Sequence, residues 1–361
     1  MMAAFSDVFA DVTKQGTKLQ TSEYLASGKY PIIDQGQDDI AGYTDREDGL
    51  FTDVPAIIFG DHTRIVKYVD TPFFLGADGV KVLKATIPDV DYRYLYYAVS
   101  AVKIPNTGYN RHFKWLKEAQ IPLPDISTQR RIADTLDKVA EGIALCRKMM
   151  DELDLMVKAK FQEMFGDENY PHTELINLIK DGMGLSYGIV QPGDDGTGEM
   201  GVLRPVDMVG GKISMTSIKY IDRSIGDGFR KTELTGDELL ITVRGTTGVT
   251  ALTDARFTGM NVTRGIAVIR YDREKINPVY LNAYLNTDES QRYIQEHTRG
   301  ATLQQINLSD LRIQDIVVPP INLQNRFAAF IAEVDKSKLT VQRIRDKMEM
   351  EKLALMQEYF K

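Results

Sequence analysis

The chain reads as an α+β protein: two α/β domains in pseudo-two-fold relation, separated by two long helices that form an antiparallel coiled coil. Three observations lead there. A segment occurs twice, because residues 124–165 and 319–360 superpose without a gap at an offset of 195, placing Pro124 on Pro319, Gln129 on Gln324, Arg131 on Arg326, Val139 on Val334 and Phe165 on Phe360. In the first copy apolar residues recur at alternating steps of four and three, the spacing of a helix stripe, and in the second copy one such row persists. The stretch ahead of each copy runs in one order: short strands, helix, irregular polar stretch, apolar lead-in, proline.

In the first half, Pro55–Phe59, Arg64–Val69 and Val80–Leu83 are β-like, separated by breaks such as Gly60-Asp61 and Gly76-Ala-Asp-Gly79. Asp91–Val102 has helical spacing, and an irregular stretch leads to Ile121-Pro-Leu-Pro124. In the second half, Glu238–Val243 and Val262–Ile269 read as strands and Asn277–Ile294 as one or two helices, before Val317-Val-Pro-Pro320. Ser127 and Asn322, just after the prolines, are good N-cap residues.

The seam of the first long helix is Ile132, Leu136, Val139, Ile143, Cys146, Met150, Leu153 and Val157, about four heptads and sufficient for a coiled coil. The second copy keeps one row, Phe327, Val334, Val341, Met348 and Leu355. Its other row starts at Ile331 but continues Lys338, Arg345, Lys352, so basic stems are expected along the seam's edge. At ~1.5 Å per residue each helix is ~60 Å long, and a single-striped helix of that length needs a partner. Antiparallel pairing with the other copy would place one globule at each end of a rod.

At 361 residues, 43% hydrophobic and 26% charged, there is room for two or three soluble domains. No apolar run approaches the ~20 residues of a membrane helix, and no secretory signal opens the chain. The single cysteine excludes an internal disulfide and, with four scattered histidines, disfavours a structural zinc site. A cytoplasmic location with no membrane is expected. Residues 1–120 carry 13 Lys/Arg against 16 Asp/Glu, or −3, and residues 167–318 carry 16 against 21, or −5. A nucleic-acid surface would therefore be a local patch, and binding by the chain alone weak.

The proline–x–x–x–x–Gln–x–Arg entry into a long amphipathic helix, present twice around two variable globules, resembles the specificity (S, HsdS) subunit of type I restriction-modification enzymes. Gly28–Asp34 with Ile40–Thr44, Thr107–Leu116 before IPLP, and Arg299–Asn307 before VVPP agree with it. The resemblance implies target-recognition domain 1 at 1–123, a central helix at 124–166, target-recognition domain 2 at 167–318 and a C-terminal helix at 319–361. It further implies that each domain reads half of a split double-stranded DNA site. The coil would set the gap and dock two methyltransferase (M) subunits, and the nuclease–translocase (R) subunit would join that assembly. S-adenosylmethionine, ATP and magnesium would sit on those partners, with no cofactor or metal on this chain.

Catalytic motifs are absent. There is no Gly-Lys-Ser/Thr phosphate loop, and Gly193-Asp-Asp-Gly-Thr-Gly198 is an acidic turn. No Asn/Asp-Pro-Pro-Tyr occurs, no Asp or Glu stands two residues before a Lys, and His62, His112, His172 and His297 lack metal spacing. A non-catalytic subunit is the reading. The alternatives are a specificity partner of a stand-alone DNA methyltransferase, and a coiled-coil scaffold or protein-binding module.

DNA recognition needs cations and amides for phosphate and base edges. In the first half the candidates are Tyr109, Asn110, Arg111, His112 and Lys114, with His112 and Trp115 equally suited to packing beneath the loop. In the second they are Arg230, Lys231, Arg244, Thr246, Thr247, Arg264, Arg299 and Thr302. The alternative for the cations among them is a solvated surface position or a salt bridge with the abundant Asp and Glu. Helix charges such as Arg130 and Lys148 are read as solvated or partner-facing.

Overall fold

A computed structural model describes residues 1–76, 78–108, 110–166, 169–193 and 198–361. The chain forms two compact units, Met1–Met149 with Val341–Lys361, and Met150–Thr340. The first long helix, Ile126–Phe165, begins in the first unit and ends in the second; the second, Ile321–Tyr359, runs from the second into the first.

The first unit contains β1 (Met2–Ala4), β2 (Phe9–Asp11), β3 (Tyr30–Ile33), β4 (Gly42–Thr44), β5 (Ala56–Gly60), β6 (Val66–Val69), β7 (Phe74–Leu75), β8 (Val80–Ala85) and β9 (Gln120–Pro122). Its sheets run β2-β8-β5-β6, β4-β3-β7 and β1-β9. The second unit contains β10 (His172–Glu174), β11 (Ser186–Tyr187), β12 (Met200–Leu203), β13 (Met208–Val209), β14 (Lys212–Ile213), β15 (Lys219–Ile221), β16 (Leu239–Thr242), β17 (Thr250–Leu252), β18 (Asn261–Val262), β19 (Ile266–Ile269) and β20 (Asp315–Val317). Its sheets run β11-β19-β16-β17, β15-β12-β18 and β10-β20, with the hairpin β13-β14 added. The topology is the same sheet for sheet. Even the parallel pairs match, β3 with β7 and β12 with β18.

The offset of 195 continues upstream of the prolines. The short helices Phe113–Lys117 and Leu308–Arg312 and the strands β9 and β20 stand in register, within stretches whose sequences read as irregular. Phe113, Leu116 and Ile121 are buried in one unit; Leu308, Leu311 and Ile316 are buried in the other. Three apolar anchors, spaced three and five apart, outlast the divergence of everything between them.

Each long helix is clasped to the unit in which it starts by the same bonds. Gln129 is buried, donates to the Pro124 carbonyl at 2.9 Å and accepts from the Asp91 N–H at 3.1 Å. Gln324 is buried, donates to the Pro319 carbonyl at 2.7 Å and accepts from the Asn277 N–H at 2.8 Å. Asp91 and Asn277 are the N-caps of the helices Tyr92–Ser100 and Pro278–Leu285. One turn into those helices, Tyr94 donates to the Pro122 carbonyl and Tyr280 to that of Val317. Burial pushes the Tyr94 hydroxyl up to about 12 and raises Tyr280 as well, so both remain donors.

The helix start differs from expectation. Both helices begin one residue before Ser127 and Asn322, which lie in the first turn rather than at the cap. Asp125 holds the cap position in the first, accepting from the Thr128 N–H at 3.0 Å and the Thr128 hydroxyl at 2.8 Å. A carboxylate beside free helix N–H groups outcompetes a hydroxyl two residues later. Those hydrogen bonds, from Ser127 and then Thr128, hold the Asp125 carboxyl far below its usual range.

Inside each unit the two helices run antiparallel. In the first, Ile132 and Leu136 share a core with Leu355, Met356, Tyr359 and Phe360, and Gly142 faces Met348. In the second, Val157, Phe161 and Phe165 pack with Phe327 and Ile331, the rings of Phe161 and Phe327 meeting edge-on at 5.5 Å. Val139, Ile143, Cys146, Val334 and Val341 are buried; Met150, Leu153 and Met348 are half-buried. The basic row behaves as stems. Lys338 pairs with Asp154 in the second unit, and in the first Lys352 lies 5.9 Å from the centre of the Tyr97 ring.

Candidate nucleic-acid interface

Four backbone segments converge in each unit, tied by the same hydrogen bonds. In the first, the turn after β5 is closed by Gly60 N–H to Ile65 O at 2.8 Å and Arg64 N–H to Gly60 O at 2.7 Å. Asp61 N–H reaches Gly79 O, and His112 N–H reaches Asp61 O, both at 2.7 Å. In the second, Thr242 N–H bonds Val249 O at 2.8 Å and Gly248 N–H bonds Thr242 O at 2.9 Å. Val243 N–H reaches Gly265 O at 2.8 Å, and Ile306 N–H reaches Val243 O at 3.0 Å. Asp61 thus answers to Val243, His62 to Arg244 and Gly79 to Gly265.

The first cluster is braced by polar residues beneath it. Asp61 is 4% exposed and accepts from the Phe113 N–H at 2.7 Å. His112 is fully buried, its Nδ1 3.0 Å from the Asp61 carbonyl and its ring 5.4 Å from Trp115. It therefore supports the loop rather than reaching out of it. Gln35 ties three loops, accepting from the His62 N–H at 3.1 Å and the Thr63 hydroxyl at 2.7 Å, and donating to Asp78 O at 2.8 Å. On the outside, Arg111 and Lys114 are exposed, the latter 4.1 Å above the Trp115 ring, and Asn110 folds back onto the Thr107 carbonyl. Lys18 and, less strongly, Arg111 hold the Asp78 carboxyl below its usual range. Tyr109 lies outside the described residues, as do residues 194–197 of the acidic turn.

The second cluster brings together more of the sequence candidates. Arg244 bridges to Gln305, Arg299 bridges to the same residue, and the buried Thr247 meets the Thr298 hydroxyl at 3.0 Å. A Cβ on Gly265 would meet Pro205 at 2.6 Å and the Arg244 carbonyl at 3.6 Å, so the residue after Arg264 must be small for these loops to close. Arg264 and Thr246 are exposed and Arg244 half-buried, and among the described residues neither Arg244 nor Arg264 makes a side-chain ion pair or hydrogen bond. Arg204, absent from the sequence candidates, is locked by two bonds to the fully buried Asp207. Arg299 stands 3.7 Å from Asp310, and Thr302 is exposed on the same loop. Arg230 and Lys231 stand elsewhere, in the segment after β15: Arg230 is 77% exposed near Asp227, and Lys231 is exposed while its carbonyl accepts from Arg270.

Sequence reasoning missed the turn Asp61–Ile65, although the Gly60-Asp61 break marked its place. No group of three or more metal-ligating side chains occurs among the described residues, and no helix there is long and apolar enough to cross a membrane.

A family model described as the type I restriction modification DNA specificity domain matches residues 4–155 and 207–350. The chain belongs to this family. Among curated relatives, the chain is 20% identical over 291 residues to the type I restriction enzyme EcoBI specificity subunit of Escherichia coli. That match covers 70% of this chain and 61% of the relative. It is 26% identical over 165 residues to the EcoR124I/EcoR124II specificity subunit of the same organism, covering 41% and 40%. The chain thus spans about three-fifths or less of these relatives' lengths. Among solved structures, the S subunit of a type I restriction-modification system from M. genitalium is similar at a TM-score of 0.56 and 16% identity, over 99% of this chain and 94% of that one. A chain from a structure on complex assembly and conformational transition of the type I R-M system gives the same score and identity, over 100% and 97%. At that identity the likeness is one of fold.

Proposed function

We propose that this specificity subunit is the sequence reader of a type I restriction-modification complex, each recognition domain contacting one half of a split double-stranded DNA site. The observation that carries this is the double construction of the loop cluster. One backbone hydrogen-bond scheme is built twice, and different side chains stand at equivalent places, His62 against Arg244. A scaffold repeated with its surface residues changed suits two half-sites of different sequence, since phosphate contacts position a protein and base-edge contacts specify.

In this reading Asn110, Arg111 and Lys114 serve the first half-site, and Arg244, Thr246, Arg264, Arg299 and Thr302 the second. Arg230 and Lys231 contribute charge alone. The paired helices set the gap and dock two methyltransferase subunits, and the nuclease–translocase subunit joins through them. The chain carries out no chemistry. S-adenosylmethionine is used by the methyltransferase partners, ATP and magnesium by the nuclease–translocase, in the cytoplasm. Much of the DNA affinity comes from the partners, because both recognition halves are formally acidic.

Mapping methylated adenines in cells with and without the gene tests it. A split motif with two constant halves and a fixed gap should vanish on deletion. An unchanged methylome sinks the proposal.

A further inference from the structure

The turns after β5 and after β16, the second longer by two residues, are closed at their ends by equivalent backbone bonds, which set Arg64 at the place of Gly248. Both residues are left-handed, with φ of 63° at Arg64 and 85° at Gly248. Glycine adopts that conformation freely, whereas a side chain crowds the following carbonyl. Stability alone would put glycine or asparagine in both turns. Arg64 brings a guanidinium that is poorly satisfied by the protein. Its Nη1 lies 3.4 Å from the Ile104 carbonyl, long for a hydrogen bond, and its Nε is buried without a hydrogen-bond partner. One position thus carries two unfavourable features, a left-handed side chain and an orphaned donor. Paired breaches of local rules at a single residue mark function more often than structure. The residue as a whole is half-buried, so the rest of its side chain reaches solvent beside that buried Nε. Its Nη1 contact also joins the turn to the segment leading to the exposed Asn110 and Arg111.

We infer that Arg64 is a DNA contact of the first recognition domain, its guanidinium donating to a phosphate oxygen or to an acceptor on a base edge. This rests on the DNA-reading proposal above. His62, at the place of Arg244, flanks it in the same turn.

The test uses the full chain with its methyltransferase partner. Thermal unfolding is measured together with affinity for duplexes carrying the complete site, a scrambled first half or a scrambled second half. Arg64→Gly should unfold no earlier than the unsubstituted chain, since glycine relaxes the turn. Its affinity for the complete site should fall about tenfold or more, while discrimination against the scrambled second half is kept. A base contact shows as lost discrimination within the first half, which Arg64→Lys does not restore. A phosphate contact shows as uniform weakening, a salt slope lower by about one, and partial rescue by lysine. Unchanged binding by Arg64→Gly overturns the inference, as does earlier unfolding, which would make the arginine a prop for the turn. If the unsubstituted complex shows no preference for a split site, the DNA-reading proposal itself falls.

Discussion

Gln129 and Gln324 show what a single amide can do at a joint. Each is buried at the foot of a long helix, where its N–H satisfies a proline carbonyl and its oxygen takes the N–H of the capping residue of a neighbouring helix. The bond to the capping residue is not written in the helix repeat, because its partners, Asp91 and Asn277, lie 38 and 47 residues away. Replacing either glutamine by alanine leaves two buried backbone groups unpaired, and the expected cost is about 1–3 kcal/mol each. Urea unfolding of Gln129→Ala and Gln324→Ala measures it, with the exposed Thr340→Ala as the reference, expected within about 0.5 kcal/mol. Losses no larger than that reference would dismiss the clasp. The surroundings of the two joints differ. At the first, Arg93 pairs with Asp91, Asp134 and Asp137, whereas at the second the Asn277 amide meets that of Asn325 at 2.8 Å.

Among the elements, the long helices follow their sequence most closely. Every seam position named from periodicity is buried or half-buried, and the outer faces hold exposed apolar residues such as Leu145 and Leu353. The contrast is measurable within one helix. Leu136 is fully buried and Leu145 is 58% exposed. Leu136→Ala should cost about 2–5 kcal/mol and Leu145→Ala less than about 0.5 kcal/mol. Equal losses in chemical denaturation would mean that the seam is not the packed face. The lysines at seam positions cause no break because each reaches past the apolar row, Lys338 to Asp154 and Lys352 to the Tyr97 ring. The sheet-bearing parts of the two units are different in kind. Strands of two to six residues leave little period to read, and β11, β14 and β18 have two residues each.

At the level of the whole molecule, both long helices belong to both units, so a change of helix length bears on both. Inserting four residues after Arg147 and four after Gln342 lengthens each helix by about 6 Å. If the paired helices set the gap, the methylated motif should gain about one or two base pairs between its halves while both half-sites stay as they were. A changed half-site with an unchanged gap refutes the ruler.

The doubled helix, its seam, the matched proline and glutamine, and the order strands–helix–loop–helix were all legible in the amino-acid sequence. These rest on local periodicity and on residues repeated at one offset, which need no tertiary information. Folding decided which loops meet. Gly60-Asp61 and Thr107–His112 lie some fifty residues apart, and bonds from His112 and Phe113 to Asp61 join them. Likewise Arg244 and Arg299 come together through Gln305. Tertiary structure also separated His112 and Thr247, which are buried supports, from Arg111 and Arg264, which are exposed. It exposed Arg64 as the odd residue of a turn that its twin closes with glycine. Side-chain type records what a residue can bind; whether it faces solvent or core depends on backbone pairings between distant segments, and those are set by the packing of the whole unit.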